Sequence, residues 1–374
     1  MSRLDDVIQQ IAGSAVEREL AGRRLHDEIR ALAAAAFGEL RSEAGLDLSA
    51  FFDVLVRLAE ADPNVAQAYR GHHLYVERLL LAGDADGLGA IRGIVVGNAQ
   101  SERGAATGIS ATLRRDADGR TLFLDGEKFY TTGTLYAQAT WTAALLDDEP
   151  HWVLVPTDAP GVTVSDDWDG FGQRLTGSGS VRFEAVRVPQ TAAAPLAEDP
   201  EHARVDTRVF QHLYLLAVLV GIGRAALRDA VAFVQGRSRT YGVQGASSPA
   251  HDPVVQTVVG DLARRAFAAE SALHAGVHAL QKARGAIGRL DEEALIAEYS
   301  AAQIAQFTAQ QVVVEEVPAL CSQLFEVGGA QALQSGRALD RHWRNARALA
   351  SHNPAPLRKR AVGDYLLNGT PPAN

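Results

Sequence analysis

Cysteine is nearly absent from the 374-residue sequence, which contains only Cys321. A disulfide needs two thiols, so no disulfide framework can form within one chain, and this usage favours a reducing compartment. The first residues, MSRLDDVIQQIAG, lack the apolar core and small-residue cleavage site of a signal peptide. We therefore expect a cytoplasmic protein.

Positive charge and long apolar runs are also scarce. Lys and Arg number 36 against 45 Asp and Glu, which gives a formal net charge of −9. Such a surface repels a phosphate backbone, so a nucleic acid is not an expected partner. The longest apolar run, residues 213–223, is too short to cross a bilayer. The composition predicts a globular protein that does not associate with membranes.

Several common cofactor and metal motifs are missing as well. Residues 221–226, GIGRAA, contain only a Gly-x-Gly fragment and follow no strand pattern, so they do not form a dinucleotide fingerprint. The sequence has no P-loop, no HExxH and no Gly-x-Ser-x-Gly, and its histidines and carboxylates show no metal-ligand spacing. We expect neither a metal site nor a bound nicotinamide dinucleotide.

Hydrophobic periodicity divides the chain into three predicted domains. Residues 1–92 have apolar side chains at three- and four-residue spacing, which predicts an N-terminal helical domain. Residues 93–192 alternate and are interrupted by turn residues, which predicts a central, mostly antiparallel β-barrel-like domain. Residues 200–374 return to helix and predict a C-terminal four-helix bundle. The expected fold class is α+β, mostly α, and the predicted helical segments of the bundle region are 205–236, 252–284, 291–327 and 338–351, with a shorter one at 355–367.

Two local features of the β-domain can be predicted in more detail. The turn residues DADG (116–119) lie between two alternating segments, which indicates a hairpin. The segment SVRFEAVRVP changes phase after Phe183, because Val186 and Val188 fall on the opposite phase from the earlier apolar residues. This change predicts a β-bulge near Glu184.

Six short patterns follow one another along the chain: GNAQSERG (97–104), LDGEKFYTTGTLYA (124–137), DDWDGFGQRLTGSGSVRFEAVRVP (166–189), RSRTYG (237–242), FEVGGAQAL (325–333) and DRHWRNARALASHNP (340–354). In this order they resemble the acyl-CoA dehydrogenase superfamily across essentially the whole chain. More narrowly, they resemble its flavin-dependent, two-component (group D) monooxygenase branch, which includes dibenzothiophene monooxygenase. The resemblance implies the acyl-CoA dehydrogenase fold and a flavin site.

The resemblance assigns flavin contacts to the β-domain. The stretch YTTG matches one in which a threonine touches flavin N5, and this role falls to Thr132, with Thr131 beside it. Ser101 occupies the threonine position of a Thr-Glu pair, and Asn98 replaces the usual aromatic residue. Trp168 is expected to line the substrate pocket. A hydroxyl at N5 can donate or accept one hydrogen bond beside the reactive part of the flavin.

Further cofactor contacts are implied nearer the C-terminus. Arg239 matches an arginine that binds flavin phosphate, and Tyr241 belongs to the same stretch. Gly328 and Gly329 match a Gly-Gly turn that approaches the cofactor of a neighbouring subunit. Some relatives have an arginine shortly after this turn, where the present chain has Gln331. The resemblance implies a homotetramer with cofactor sites at subunit contacts.

Departures from the dehydrogenases point to the monooxygenase branch. Dehydrogenases commonly carry a catalytic glutamate in the loop before the last helix, where this chain has SHNPAP, and the GSD after their Thr-Glu-Pro is replaced by RGAATG. His352 matches a histidine of the monooxygenases and is expected to transfer a proton, an ordinary role for imidazole. Pro354 disfavours helix at Asn353, so the chain should break there. A second candidate is His73, although the resemblance leaves open whether His72 or His73 faces the pocket.

The expected function is that of a two-component flavin-dependent monooxygenase. A separate NAD(P)H-dependent reductase would supply the reduced flavin, which is FMN in the favoured interpretation and FAD in the alternative. Dioxygen would form a C4a-(hydro)peroxyflavin that oxygenates a small (hetero)aromatic, sulfur or nitrogen substrate. Two other interpretations stay open, an FAD-containing acyl-CoA dehydrogenase or oxidase and a catalytically inactive structural relative. The sequence does not identify the substrate.

Overall fold

The structure is a computed structural model that describes residues 2–103, 108–117, 119–238 and 248–372. It begins with helices α1 (Ser2–Ala21), α2 (His26–Ala34), α3 (Leu48–Ala61), α4 (Pro63–Ala68), α5 (Arg70–Ala82) and α6 (Ala85–Ala90). The carboxylate of Asp47 caps α3 by accepting from the backbone N–H of Ala50, and Asp62 caps α4 in the same way. Pro63 occupies the first turn of α4, where its missing N–H removes no helical hydrogen bond.

The central part of the chain forms one sheet. Its strands are β1 (Val96–Ala99), β2 (Thr112–Arg115), β3 (Thr121–Lys128), β4 (Ala139–Leu146), β5 (Glu149–Pro156), β6 (Val162–Val164), β7 (Val181–Pro189) and β8 (Ala193–Pro195). The strand order is β6-β7-β3-β2-β4-β5-β8, and β1 also pairs with β4. The pairs β1–β4 and β2–β4 are parallel, and the other described pairs are antiparallel. The predicted β2–β3 hairpin is confirmed.

The predicted bulge in β7 is also confirmed. Between Phe183 and Val186, β7 has one residue more than β3 opposite it. Ala185 in this bulge has a φ of 48°, and its N–H donates to the carboxylate of Asp125 at 2.7 Å. Because the extra residue reverses the phase, Val186 and Val188 are buried together with Phe183.

The rest of the chain is helical, with α7 (Glu201–Gln235), α8 (Pro253–Gly285), α9 (Glu292–Gln323), α10 (Asp340–Ala350) and α11 (Ala355–Asn368). Helices α7, α8 and α9 pack on one another, and α10 and α11 pack against α9. One hydrophobic core joins this bundle to the N-terminal helices, and a second fills the sheet. Within the described ranges, no helix combines the length and apolar character needed to traverse a bilayer.

The fold is therefore the predicted α+β arrangement, in which helices come before and after the sheet along the chain. Element types change between Ala90 and Val96 and again between Pro195 and Glu201, close to the predicted boundaries. The division into domains 1–92, 93–192 and 200–374 stays a prediction.

A buried ionic network fixes α5 on the bundle. Glu77 of α5 is buried and pairs with Arg41 at 2.7 Å and with Arg284 of α8. Arg284 also pairs with Asp206 of α7 at 2.6 Å, and the hydroxyl of Tyr299 donates to Asp206 at 2.8 Å. Removing one member would leave a buried charge without its partner, which is strongly destabilising.

Buried neutral histidines predict that the fold is sensitive to acid. Burial lowers the pKa of His212 to about 3 and holds the pKa of His73 well below its ordinary value. Between these folded values and about pH 6.5 the unfolded chain binds protons that the folded chain does not, so stability is lost as pH falls. From about pH 7 to pH 5 we expect each histidine to remove roughly 2 kcal/mol from the free energy of unfolding, measurable by urea titration.

The matched control for this prediction is an exposed histidine. His212→Gln should reduce the pH dependence by about the amount of one histidine, and His278→Gln, which replaces a histidine on the exposed side of α8, is the comparison variant. An unchanged pH dependence in His212→Gln would show that His212 is not held neutral in the folded protein.

Candidate active site

A cavity of about 430 Å³ lies where the ends of strands and their loops meet helices from both ends of the chain. We call its strand and loop side the β wall, which consists of Asn98, Gln100, Ser101, Tyr130, Thr132, Trp168, Gln173, Thr176 and Ser178. The remaining lining residues form the helical wall: Gln67, Arg70, Gln211, Ala348, Leu349, Ser351 and His352. The cavity therefore brings together five residues singled out from four sequence motifs, namely Asn98, Ser101, Thr132, Trp168 and His352.

Two glycines allow the N-terminal helices to pack closely against the sheet beside this cavity. Gly133 follows Thr132 with a φ of 82°, and a Cβ there would lie 2.1 Å from the carbonyl oxygen of Ala68. A Cβ on Gly71 would lie 2.8 Å from the Cβ of Asn98. Only a residue without a side chain suits both the left-handed backbone and the close approach at Gly133.

The hydroxyl of Thr132 belongs to a chain of hydrogen bonds in which each hydroxyl donates to the next oxygen atom along the chain. Thr176 Oγ1 lies 2.8 Å from the carbonyl oxygen of Gln173, which can only accept, so Thr176 donates. Ser178 Oγ, at 2.6 Å from Thr176 Oγ1, must then donate to it. Thr132 Oγ1, at 2.9 Å from Ser178 Oγ, donates in turn. Each hydroxyl has one hydrogen, so Thr132 has only acceptor capacity left.

The neighbours of these β-wall residues have structural roles. The hydroxyl of Thr131 is buried and donates to the carbonyl of Gly179 at 2.9 Å, so Thr131 does not line the cavity. Glu102 pairs with the buried ammonium of Lys128 and accepts from the N–H of Ser110 at 2.7 Å. Of the Ser101-Glu102 pair, Ser101 is the residue that lines the cavity.

The loop that carries Trp168 and Gln173 is held by two buried asparagines. The side-chain oxygen of Asn345 accepts from the N–H of Gln173 at 2.6 Å, and that of Asn64 accepts from the N–H of Leu175 at 3.3 Å. Both asparagines are buried. Sequence reasoning did not single them out, although Asn345 lies within the motif DRHWRNARALASHNP.

His352 lies in the break between α10 and α11, as the sequence predicts. Its Nδ1 is 3.3 Å from Asn353 Oδ1, and because an amide oxygen only accepts, Nδ1 carries the hydrogen and Nε2 is left as an acceptor. The surrounding protein and the charge of Arg70 lower the pKa of His352 to about 4. The imidazole is therefore neutral at neutral pH. No Asp or Glu lines the cavity among the residues that the structure describes.

Arg70 is a lining residue that sequence reasoning missed. It is only 4% exposed, and in the described part of the chain its guanidinium has no ion pair and its Nε has no hydrogen-bond partner. Burial lowers its pKa to about 10, which leaves it charged at neutral pH. Beside it on the cavity surface, side-chain amide groups of Gln67, Gln100 and Gln173 also have unpartnered atoms within the described ranges. Buried polar groups are normally paired, so these atoms indicate a ligand site.

Neither of the adjacent histidines lines the cavity. The ring of His72 bridges two backbone groups, since Nε2 donates to the carbonyl of Gly38 and Nδ1 accepts from the N–H of Val96, each at 3.2 Å. The ring of His73 is fully buried, and its two nitrogens have no partner in the described residues. Aromatic rings surround it, those of Phe37, Phe51, Tyr69 and Tyr214. We therefore assign His73 no proton transfer in the proposal below.

The remaining predicted cofactor residues lie elsewhere. Arg239 and Tyr241 fall outside the described residues. Gly328 and Gly329 follow α9 and do not line the cavity. A Cβ on Gly328 would lie 2.0 Å from the ring of Phe233, and Gly329 has a φ of 54°. Their contact with a neighbouring subunit's cofactor stays a prediction.

Comparison with known proteins shows which proteins this chain resembles. The family described as "Acyl-CoA dehydrogenase, C-terminal domain" matches residues 213–355. The probable FMNH2-dependent monooxygenase SfnC of Pseudomonas putida is 27% identical over 86% of this chain and 82% of its own length. Dibenzothiophene monooxygenase of Rhodococcus erythropolis is 26% identical over 96% and 91% of the two chains. Both relatives are named as monooxygenases.

A solved structure shows that the fold is shared along the whole chain. TdsC from Paenibacillus sp. A11-2, crystallised with FMN and indole, superposes with a TM-score of 0.88 at 23% identity. The superposition covers 99% of this chain and 97% of that chain. The chain therefore resembles the acyl-CoA dehydrogenase superfamily and, within it, flavin-dependent monooxygenases.

Proposed function

We propose that the protein is the oxygenase component of a two-component monooxygenase. It binds reduced FMN supplied by a separate NAD(P)H-dependent reductase and uses dioxygen to oxygenate a small heteroaromatic, sulfur or nitrogen substrate. The named relatives support this choice, since SfnC is described as FMNH2-dependent and TdsC was crystallised with FMN and indole. The observation that carries the proposal is the convergence of Thr132 and His352 on one cavity.

The polar groups of the cavity suit the edge of an isoalloxazine ring. That edge alternates hydrogen-bond donors and acceptors, and the β wall offers hydroxyls together with the unpartnered amide groups of Gln100 and Gln173. Trp168 adds an aromatic surface beside them, with its indole N–H donating to the carbonyl of Gly172 at 3.3 Å. When bound, a reduced flavin supplies the two electrons that activate dioxygen.

Thr132 favours the reduced form of the flavin. Its own hydrogen is directed to Ser178, so the hydroxyl faces a ligand only as an acceptor. Reduced flavin carries a hydrogen on N5, and oxidised flavin does not. The hydrogen-bond direction in this chain of hydroxyls therefore discriminates between the two oxidation states.

Thr132→Val should test this discrimination. Losing one hydrogen bond should weaken reduced FMN binding by about 3- to 10-fold, with a smaller effect on oxidised FMN. Anaerobic fluorescence titration measures both dissociation constants. Thr131→Val is the matched control, because that hydroxyl binds Gly179 and does not line the cavity. Equal losses for both flavins, or none, would contradict the proposed hydrogen-bond direction.

His352 is the proposed proton carrier. One oxygen atom of dioxygen enters the product and the other leaves as water, so protons must reach the leaving oxygen. A neutral imidazole can accept a proton at Nε2 and return it, whereas the amides and hydroxyls around it cannot at neutral pH. The Asn353 side chain orients the ring by accepting from Nδ1.

We also propose that the protein forms a homotetramer in which subunits share cofactor sites. Exposed leucines support association, because Leu357, Leu366 and Leu367 of α11 are 61%, 74% and 84% exposed. In such an assembly, Arg239 and Tyr241 would bind the flavin phosphate. Gly328 and Gly329 would approach the cofactor of the adjacent subunit, where a glycine backbone permits close contact.

The presence or absence of a reductase tests the proposed function against its rival. A monooxygenase should purify nearly colourless and form oxygenated product only when a flavin reductase, NAD(P)H and FMN are added. An acyl-CoA dehydrogenase or oxidase should purify yellow with FAD and bleach when an acyl-CoA is added. The second result would overturn the proposal, and failure to bind any flavin would indicate an inactive relative.

A further inference from the structure

We propose that Arg70 binds an anionic group of the substrate, so that the enzyme acts on a small organic acid such as a carboxylate or a sulfonate. The inference rests on the proposed function and narrows its substrate class. It comes from a guanidinium that is 4% exposed, lines the cavity and has no ion pair in the described ranges.

A buried charge without a counter-charge is unfavourable. Water is removed from the guanidinium, and nothing in the described protein replaces it. The other two buried arginines in the described ranges are paired, Arg18 with Asp62 at 2.7 Å and Arg341 with Asp229 at 2.6 Å. Arg70 differs because its side chain faces the cavity, where a ligand can supply the negative charge and the forked hydrogen bonds that an arginine makes with an oxyanion.

The position of Arg70 favours the substrate over the flavin as its partner. The principal proposed flavin contact, Thr132, follows β3, whereas Arg70 begins α5 and His352 lies between α10 and α11. Arg70 is close enough to His352 for its charge to lower the pKa of that imidazole. An acid held by Arg70 would therefore lie next to the proposed proton carrier.

Three further arginines lie on helices next to lining residues of the cavity, although none of them lines it. Arg204 and Arg208 are on the α7 stripe of Gln211, which lines the cavity, because residues at these spacings share a helix face. Burial and the charge of Arg208 lower the pKa of Arg358 in α11, and burial and the charge of Arg204 lower the pKa of Arg208. In the described residues none of these three arginines has a carboxylate partner. On a chain of net charge −9, three arginines without carboxylate partners attract anions to this side of the molecule.

The test compares anions with neutral molecules of the same shape. Calorimetric titration in chloride- and phosphate-free buffer would use benzoate against benzamide and methanesulfonate against dimethyl sulfone, with and without reduced FMN. We expect the wild-type protein to bind each anion at least about tenfold more tightly than its neutral counterpart, a typical gain for a charge-assisted contact. Arg70→Met should lose this preference while neutral ligands bind unchanged, and Arg70→Lys should keep part of it. The control Arg30→Met removes an exposed arginine of α2 and should keep the full preference.

A second measurement separates ligand binding from a structural role. Because Arg70→Met removes an unpaired buried charge, we expect the ligand-free variant to melt at least ~2 °C above the wild type. Melting below the wild type by the same margin would show that Arg70 stabilises the fold and would overturn the inference.

Three further results would also overturn it: equal binding of anions and neutral molecules by the wild type, an anion preference that survives in Arg70→Met, or a loss in that variant of reduced FMN affinity alone. A wild-type protein that binds reduced FMN but shows no anion preference would reject this inference and leave the proposed function standing. A protein that does not bind reduced FMN would reject the proposed function itself.

Discussion

Replacing His352 with alanine is expected to slow product formation by about 100- to 10,000-fold, the range that a positioned acid–base group contributes. Reduced flavin should still react with dioxygen, so hydrogen peroxide release should rise as product falls. The physical reason is the lining of the cavity. Among the described lining residues, His352 is the one whose neutral side chain has a basic ring nitrogen that can accept a proton and return it. Product and peroxide would be quantified together, per mole of reduced FMN consumed.

Two control variants test whether the effect of His352→Ala comes from the loss of proton transfer. His352→Gln keeps a polar group of similar reach but cannot carry a proton, so it should resemble alanine. Asn353→Ala removes only the 3.3 Å contact with Nδ1 and should have a much smaller effect. Unchanged coupling between flavin oxidation and product formation in His352→Ala would remove His352 from the mechanism.

Gly133→Ala is expected to abolish flavin binding and to destabilise the protein strongly. The added methyl group would lie 2.1 Å from the carbonyl oxygen of Ala68, and that oxygen belongs to the backbone of α4 and cannot move aside alone. The φ of 82° adds strain for any residue with a Cβ. Relief of the clash must shift either Thr132 or α4, and both shape the cavity.

The matched control is Gly93→Ala. Gly93 has a similar φ of 75°, but a Cβ there would meet nothing within 4 Å. It should therefore show only the backbone strain of about 1–2 kcal/mol and keep its flavin affinity. Thermal unfolding and flavin titration of the two variants would distinguish the effect of backbone strain, which both share, from the effect of the clash with Ala68, which only Gly133→Ala has. Equal behaviour of the two variants would show that the contact with Ala68 does not shape the site.

Much of the fold could be predicted because each element has its own local signal. The helix predicted at 252–284 is α8, Pro253–Gly285, and the one at 291–327 is α9, Glu292–Gln323, which ends earlier because a tighter helical turn follows. The bulge was visible because the phase of apolar residues reverses within β7. The parallel pairing of β1 and β2 with β4 has no such signal, since it depends on how distant segments meet.

The site was predictable only where a family motif marked it. Thr132 and His352 lie in such motifs, and the cavity brings them together. Arg70 looks in sequence like an ordinary solvated helix charge, and its lack of a partner appears only when the neighbouring elements are in place. The family resemblance drew attention to His73 in the same stretch. The residues of this stretch that line the cavity are instead Gln67 and Arg70, which precede His73 in sequence.

The most direct test of the central claim is an anaerobic titration of the wild-type protein with reduced and with oxidised FMN. The acceptor-only hydroxyl of Thr132 predicts that reduced FMN binds more tightly, by about the 3- to 10-fold that one hydrogen bond supplies. On mixing with dioxygen, His352 should then delay the release of hydrogen peroxide relative to free reduced FMN. Tighter binding of oxidised flavin, with peroxide released as fast as in free solution, would contradict the account.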